Sequence, residues 1–289
     1  VVQVSLGSSH SGCITSDGSL YMWGYNKDGQ LGNGTTTRSN VPVKIMDNVA
    51  KLDLGGPQSA CITISGDLYV WGNNDSGQLG NGTKVNKKKP QKIMSGAAQV
   101  SLERMHSSCI TDDGDLYMWG SNGRGSLGDG TETDSLKPKK IMSGVAQAAL
   151  GGYFSACVTE NGDLYTWGYN GSGQLGNGTD VDKHTPTKIM SGVSEVSASA
   201  GSCACVTTSG ELYTWGSNSY GELGDGTAID SNSPIKVAMS HTHTFENDVK
   251  YFNDANNHWL VCTGCGETVR LAAHVKDSGT VTVEPTETT

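Results

Sequence analysis

A β-propeller of five four-stranded blades is the fold this sequence predicts. Three observations predict it: a strict 48-residue repeat, an excess of glycine, and no sustained helical period. Trp23, Trp71, Trp119, Trp167 and Trp215 stand 48 residues apart. The same interval links Cys13, Cys61, Cys109, Cys157 and Cys205, and also Pro42, Pro90, Pro138, Pro186 and Pro234. Glycine supplies 40 of the 289 residues, about twice the usual ~7%. It lacks collagen's every-third spacing, so it marks tight turns between short strands.

Each repeat reads in order. Cys13-Ile14-Thr15 is a short strand, Asp17-Gly18 a turn signal, and Leu20-Tyr21-Met22-Trp23-Gly24 the returning strand of a hairpin. The glycine-rich loop Gly29 to Thr35 follows, then a proline-led strand from Pro42 to Met46, then Val49 to Leu54. Four short strands per repeat stack radially as blades. The repeats fill residues 1–240; a small Cys/His module is expected over 241–276 and a connector over 277–289. With strands of the Val49–Leu54 type closing each repeat, Val1–Leu6 is expected to complete the last blade. That makes a closed five-bladed ring; the rival expectation is a fragment of a larger, for example seven-bladed, propeller.

Composition removes some functions. A net charge of −9 and a pI near 5.2 argue against nucleic acid, whose phosphates require a basic face. No apolar run approaches the ~18 residues of a membrane span. No Gly-x-Ser-x-Gly elbow and no repeated acid–base–nucleophile set is present, so a non-enzyme is expected. No signal peptide is visible.

The pattern Gly-x-x-His-Ser-x-Cys-Ile-Thr-x-Asp-Gly-x-Leu-Tyr-x-Trp-Gly-x-Asn-x-x-Gly-Gln-Leu-Gly-Asn-Gly-Thr, carried most fully by Gly7 to Thr35, resembles the regulator of chromosome condensation repeat family. The resemblance implies the propeller fold. The family includes a seven-bladed guanine-nucleotide exchange factor that binds chromatin. That activity does not carry over to five repeats without an inserted exchange loop or a basic arm. The short uniform repeats look more like bacterial secreted members, among them an inhibitor that caps a β-lactamase with one propeller face.

Within the repeats, Gly29-x-x-Gly32-x-Gly34 imitates a phosphate loop, but no helix follows to bring its dipole to an anion. Turn glycines are the better reading. The periodic cysteines lie beside Ile or Val and read as core residues; Cys203 has no repeat equivalent. His10 and His106 share a register with Gln58, Phe154 and Ser202, a poor coordination shell. They read as loop histidines bonding local backbone. Positions that differ between copies are free for recognition. Arg104, Met105, His106, Tyr153, Phe154 and Tyr220 place large side chains in such zones, and Arg and aromatics anchor interfaces. Lys87 and Lys88 belong to a local basic loop on an acidic chain.

After His241 the chemistry changes. Cys262 and Cys265 form a Cys-x-x-Cys-Gly knuckle, and two of His243, His258 and His274 complete a four-ligand set for structural zinc. A disulfide between the two cysteines and a redox pair are the competing readings. The segment resembles small Cys-x-x-Cys-Gly modules in surface proteins of gut-dwelling Gram-positive bacteria. The expectation is therefore a monomeric binding scaffold of a secreted or cell-surface bacterial protein, with loops that engage a protein or glycan. The alternatives are a regulator of a small GTPase and an inhibitor of an extracellular enzyme.

Overall fold

The computed structural model describes residues 1–238 and, beyond them, three strands of the C-terminal segment. The chain divides into two compact units, Val1–Val237 and Ala238–Thr289. The first holds five four-stranded antiparallel sheets. Blade one is β1–β4 (Gln3–Leu6, His10–Ile14, Leu20–Gly24, Ser39–Met46). Blade two is β5–β8 (Val49–Leu54, Gln58–Thr63, Leu68–Gly72, Lys87–Met94). Blade three is β9–β12 (Ala97–Leu102, His106–Thr111, Leu116–Gly120, Ser135–Met142). Blade four is β13–β16 (Val145–Leu150, Phe154–Thr159, Leu164–Gly168, Lys183–Met190). Blade five is β17–β20 (Val193–Ala198, Ser202–Thr207, Leu212–Gly216, Ser231–Lys236).

This phasing corrects one sequence expectation. Strands of the Val49–Leu54 type open a blade rather than close one. Val1–Leu6 accordingly does not complete the last blade: β1 pairs with β2, Gln3 opposite Ile14 and Leu6 opposite Ser11. Blade five already has its own first strand, β17.

The cores lie between blades. Leu20, Met22 and Leu31 of blade one face Leu52, Leu54, Cys61 and Trp71 of blade two, all buried. The same arrangement recurs between blades two and three, three and four, and four and five. Alternation in Leu-Tyr-x-Trp causes it. Side chains two apart share a face of a strand, so Leu20 and Met22 point forward while Trp71 points back. The periodic cysteines and Cys203 are free and buried; burial pushes the thiol of Cys61 up to about 12. The proline-led strands β4, β8, β12, β16 and β20 form the outer edges, where a missing N–H costs no ladder bond.

The glycine-rich loop is structural. In blade one, the buried Asn26 amide donates to the Thr35 and Thr37 carbonyls at 3.2 and 3.0 Å and accepts the Leu31 N–H at 2.9 Å. The loop's Gln30 carbonyl takes the Trp71 indole N–H at 2.9 Å and the Ser59 hydroxyl at 2.8 Å. Gly32 (φ 76°) lies against that indole: a Cβ there would sit 2.7 Å from Trp71 Nε1. The backbone of a phosphate-loop imitation is thus committed to the next blade.

In the second unit, β21 (Val249–Asn253), β22 (His258–Cys262) and β23 (Thr268–Leu271) form an antiparallel sheet in that order. His258 and Cys262 are the first and last residues of β22. His243, Cys265 and His274 of the expected zinc set lie outside the described residues.

Candidate interaction surface

Two loops of each blade emerge side by side at one edge. The link is main-chain: Ser121 N–H donates to the Met105 carbonyl at 2.9 Å, and Tyr169 N–H to the Tyr153 carbonyl at 3.0 Å. The loop before the Cys strand and the glycine-rich loop therefore share a face, and copy-to-copy variation in either one accumulates there.

Three variable positions meet on that face between blades three and four. Arg124 stands where the other copies have Asp28, Ser76, Ser172 and Tyr220. Tyr153 stands where they have Ser9, Pro57, Met105 and Gly201; Tyr169 where they have Tyr25, Asn73, Ser121 and Ser217. Together with Ser121, Gly123 and Ser126 these residues line a cavity of about 480 Å³. The Arg124 guanidinium lies over the Tyr169 ring, 5.3 Å from its centroid, an attraction between cation and ring quadrupole. Its Nη1 is 3.8 Å from Asp182 Oδ2. Asp182 is itself held, since its Oδ1 accepts the Asn170 N–H at 2.8 Å. The Tyr169 phenol rests over Gly171, where a Cβ would come within 2.1 Å of its hydroxyl oxygen. Tyr153 is 49% exposed beside them. A stacked arginine, an open tyrosine and small polar neighbours thus form one patch on the loop face.

The residues expected from sequence divide three ways. Arg104, Met105, Tyr153 and Tyr220 occupy the loop face. Arg104 is exposed and its carbonyl accepts the Gln78 side-chain amide at 3.2 Å; Tyr220 is 94% exposed, its N–H on Glu222 at 2.8 Å. Lys87 and Lys88 lie on the outer strand β8 instead, and the Lys88 carbonyl takes the Gly34 N–H of the preceding blade at 2.8 Å. His106 and Phe154 are corrections: both open strands and both are buried. Phe154 belongs to the core between blades four and five. His106 Nε2 lies 3.2 Å from Ser155 Oγ, and His10 Nε2 lies 2.9 Å from Ser59 Oγ, each on the following blade. Each serine hydroxyl donates to a carbonyl of its preceding blade, so it accepts from the imidazole, which carries its proton on Nε2. Burial holds both histidines down at about 4. They join blades rather than local backbone. No local motif marks Arg124, Tyr169 or Asp182, although the first two stand out as variable positions when the copies are aligned column by column.

Among the described residues no group of three or more metal-ligating side chains occurs, and no helix is long and apolar enough to cross a membrane.

Known proteins place the chain. A short segment is 48% identical over 42 residues to the human E3 ubiquitin-protein ligase HERC2, covering 14% of this chain and 1% of that protein. The mouse protein matches equally. Human WBSCR16 superposes with a TM-score of 0.72 at 27% identity, covering 82% of this chain and 67% of that one. Prp20p from Saccharomyces cerevisiae gives 0.73 at 21% identity, covering 87% of this chain and 65% of that one, a likeness of fold. The model of the RCC1-like domain matches residues 1–287. This chain belongs to the RCC1-like domain family.

Proposed function

We propose that this propeller is a non-catalytic interaction scaffold whose loop face between blades three and four binds a protein partner. One observation carries the reading: on a repeated scaffold, the variable residues Arg124, Tyr153 and Tyr169 converge on one open cavity. Arginine and tyrosine anchors in a partly enclosed site are the usual centre of a protein interface. Two structures of one neighbour in fold support it by analogy. Prp20p is described with binding properties toward Gsp1p and histones, and a second structure holds it bound to Kap60. The finer reading adds a monomer of a secreted or cell-surface bacterial protein, with structural zinc in the C-terminal segment.

The test is capture of a partner from culture extract on immobilised chain. The parent and Lys88→Ala retain it, while Arg124→Ala and Tyr153→Ala each lose about tenfold or more. Equal retention by all four overturns the reading; retention abolished by a glycosidase changes the ligand to a glycan. A GTPase-regulator role would appear as faster nucleotide release, which this reading does not expect. For the tail, metal analysis of the full chain is expected to give one zinc, lost in Cys262→Ser.

A further inference from the structure

Lysine occurs in this propeller for two different reasons. Lys44, Lys92, Lys140, Lys188 and Lys236 hold one register near the end of the outer strands. Each closes an ion pair at 2.6–2.8 Å within its own repeat, with Asp47, Asp67, Asp115, Asp163 and Glu211 in turn. Lys87, Lys89 and Lys137 follow no such rule. Lys89 and Lys137 share a register that holds Val41, Thr185 and Ser233 in the other copies. Among the described residues none of these three ammonium groups is in an ion pair. The carboxylates around Lys137 in the sequence are already engaged: Asp129 by Lys139, Glu132 by His184 and Asp134 by Lys84.

The glycine-rich loops carry the stems of both lysines. The Lys88 carbonyl takes the Gly34 N–H, and the Leu136 carbonyl takes the Gly82 N–H, each at 2.8 Å, so β8 and β12 cross the loop of the preceding blade. The next side chain then lies on the bare glycine. A Cβ on Gly34 (φ 84°) would sit 3.0 Å from Lys89 Cε, and one on Gly82 (φ 80°) 3.1 Å from Lys137 Cε. Such a shelf supports the methylene stem and leaves the charged head in water; both residues are exposed. In the last two copies the same shelves, Gly130 and Gly178, lie under Thr185 and Ser233. Lys88 lies instead against Gly29.

Charge is distributed unevenly around the blades. Residues 49–96 hold six lysines and three aspartates, a net charge of +3 on a chain of net −9. Of those aspartates, Asp67 holds Lys92 and Asp53 holds the Leu102 N–H. Residues 193–240 hold one lysine and five acids, a net charge of −4. Protection of the outer edges does not account for the extra lysines, since every outer strand already has its periodic lysine and proline.

We propose that the lysine shelves of blades two and three form a second interaction surface, separate from the loop face between blades three and four, and that its occupant is a short acidic segment of a protein. Complementarity selects carboxylates, and the distribution of charge selects a short ligand. A long polyanion would run on to the acidic blades, whereas a short segment ends before them. Attraction between exposed charges reaches only ~8 Å in physiological salt, so the local excess of lysine acts without interference from blade five.

Fluorescence anisotropy of labelled octaglutamate, titrated with the full chain, tests this. The parent binds saturably at one site, and binding weakens with added salt. Lys89→Ala with Lys137→Ala weakens it about tenfold or more, and Lys89→Glu with Lys137→Glu abolishes it. Lys188→Ala with Lys236→Ala removes the same charge from the paired register and stays within about twofold of the parent. Melting temperatures of both double alanine variants stay close to the parent, because all four side chains are exposed at the surface. Failure of the parent to bind octaglutamate overturns the proposal, as does an equal loss in the Lys188 and Lys236 pair. A thymidine octanucleotide or a heparin octasaccharide held more tightly through Lys89 and Lys137 overturns the choice of a protein segment.

Discussion

Trp23 and Trp119 sit in the same pentapeptide, Leu-Tyr-Met-Trp-Gly, yet they occupy different worlds. Trp119 is completely buried and its indole N–H bonds the Gln78 carbonyl at 2.8 Å. Trp23 is only half-buried, in a blade with no described neighbour behind it. Identical local sequence gives identical strands, because backbone pairing is satisfied within the blade. The energetic weight of a side chain depends on whether a second blade covers it.

Four predictions break or sharpen that contrast. The largest effect is expected from Trp119→Ala, which removes a buried indole and its bond and lowers unfolding free energy by about 3–5 kcal/mol. Trp23→Ala stays below about 1 kcal/mol; equal losses in denaturant titration would dissolve the comparison.

The second concerns acid. His10 and His106 are held at about 4 in the folded chain, chiefly by burial, against an ordinary value of 6.5. The unfolded chain therefore binds more protons between those values. Their contribution is complete above pH 6.5 and is lost as pH falls toward 4, at about 3 kcal/mol for each histidine. His106→Gln is expected to flatten that slope in a series of melts between pH 4 and 7, and an unchanged slope would refute the assignment.

Next comes the capping of a first strand by the preceding blade. Gln147→Ala strips two bonds from the Val196 backbone and is expected to cost about 1–3 kcal/mol. Glu195→Ala, the same register in blade five, where no side-chain bond of Glu195 to a strand edge occurs among the described residues, changes stability by less than about 0.5 kcal/mol. Chemical denaturation of the two variants side by side checks the difference.

The smallest effect has the opposite pH sign. Burial raises the Asp53 carboxyl to about 6, while bonds from the Leu102 and Leu54 N–H groups pull it down. The folded chain binds the extra proton, so this group's contribution is present below pH 3.8 and is lost as pH rises through 6. Asp53→Asn, which still accepts the Leu102 N–H, is expected to gain about 1 kcal/mol at pH 8 after allowing for partial exposure. A loss there would show that the charge itself holds the blades together.

Much of the propeller was legible in the sequence, and what was not has identifiable causes. The strand positions followed from alternation and turn residues within each copy. The blade boundary did not, because a repeat has a period but no phase. Only the pairing of β1 with β2 decides that Val49–Leu54 begins a blade. His106 and Phe154 looked like loop residues because of their neighbours. Their register opposite Gly120 and Gly168 makes them the first positions of strands. On the loop face, Tyr153 is legible as a bulky residue in a variable loop. Arg124 and Tyr169 lie 29 residues before and 16 after it, and no local pattern joins the three.

By itself, then, the sequence determined the repeat, the hairpins and the structural use of the glycine-rich loop, since all of these arise from contacts within one 48-residue unit or with its next copy. The tertiary structure decided which tryptophan is buried, which histidine stays neutral and which three side chains share a cavity. Those outcomes depend on the distance between loops of different blades, and that distance is fixed only when one blade packs on another.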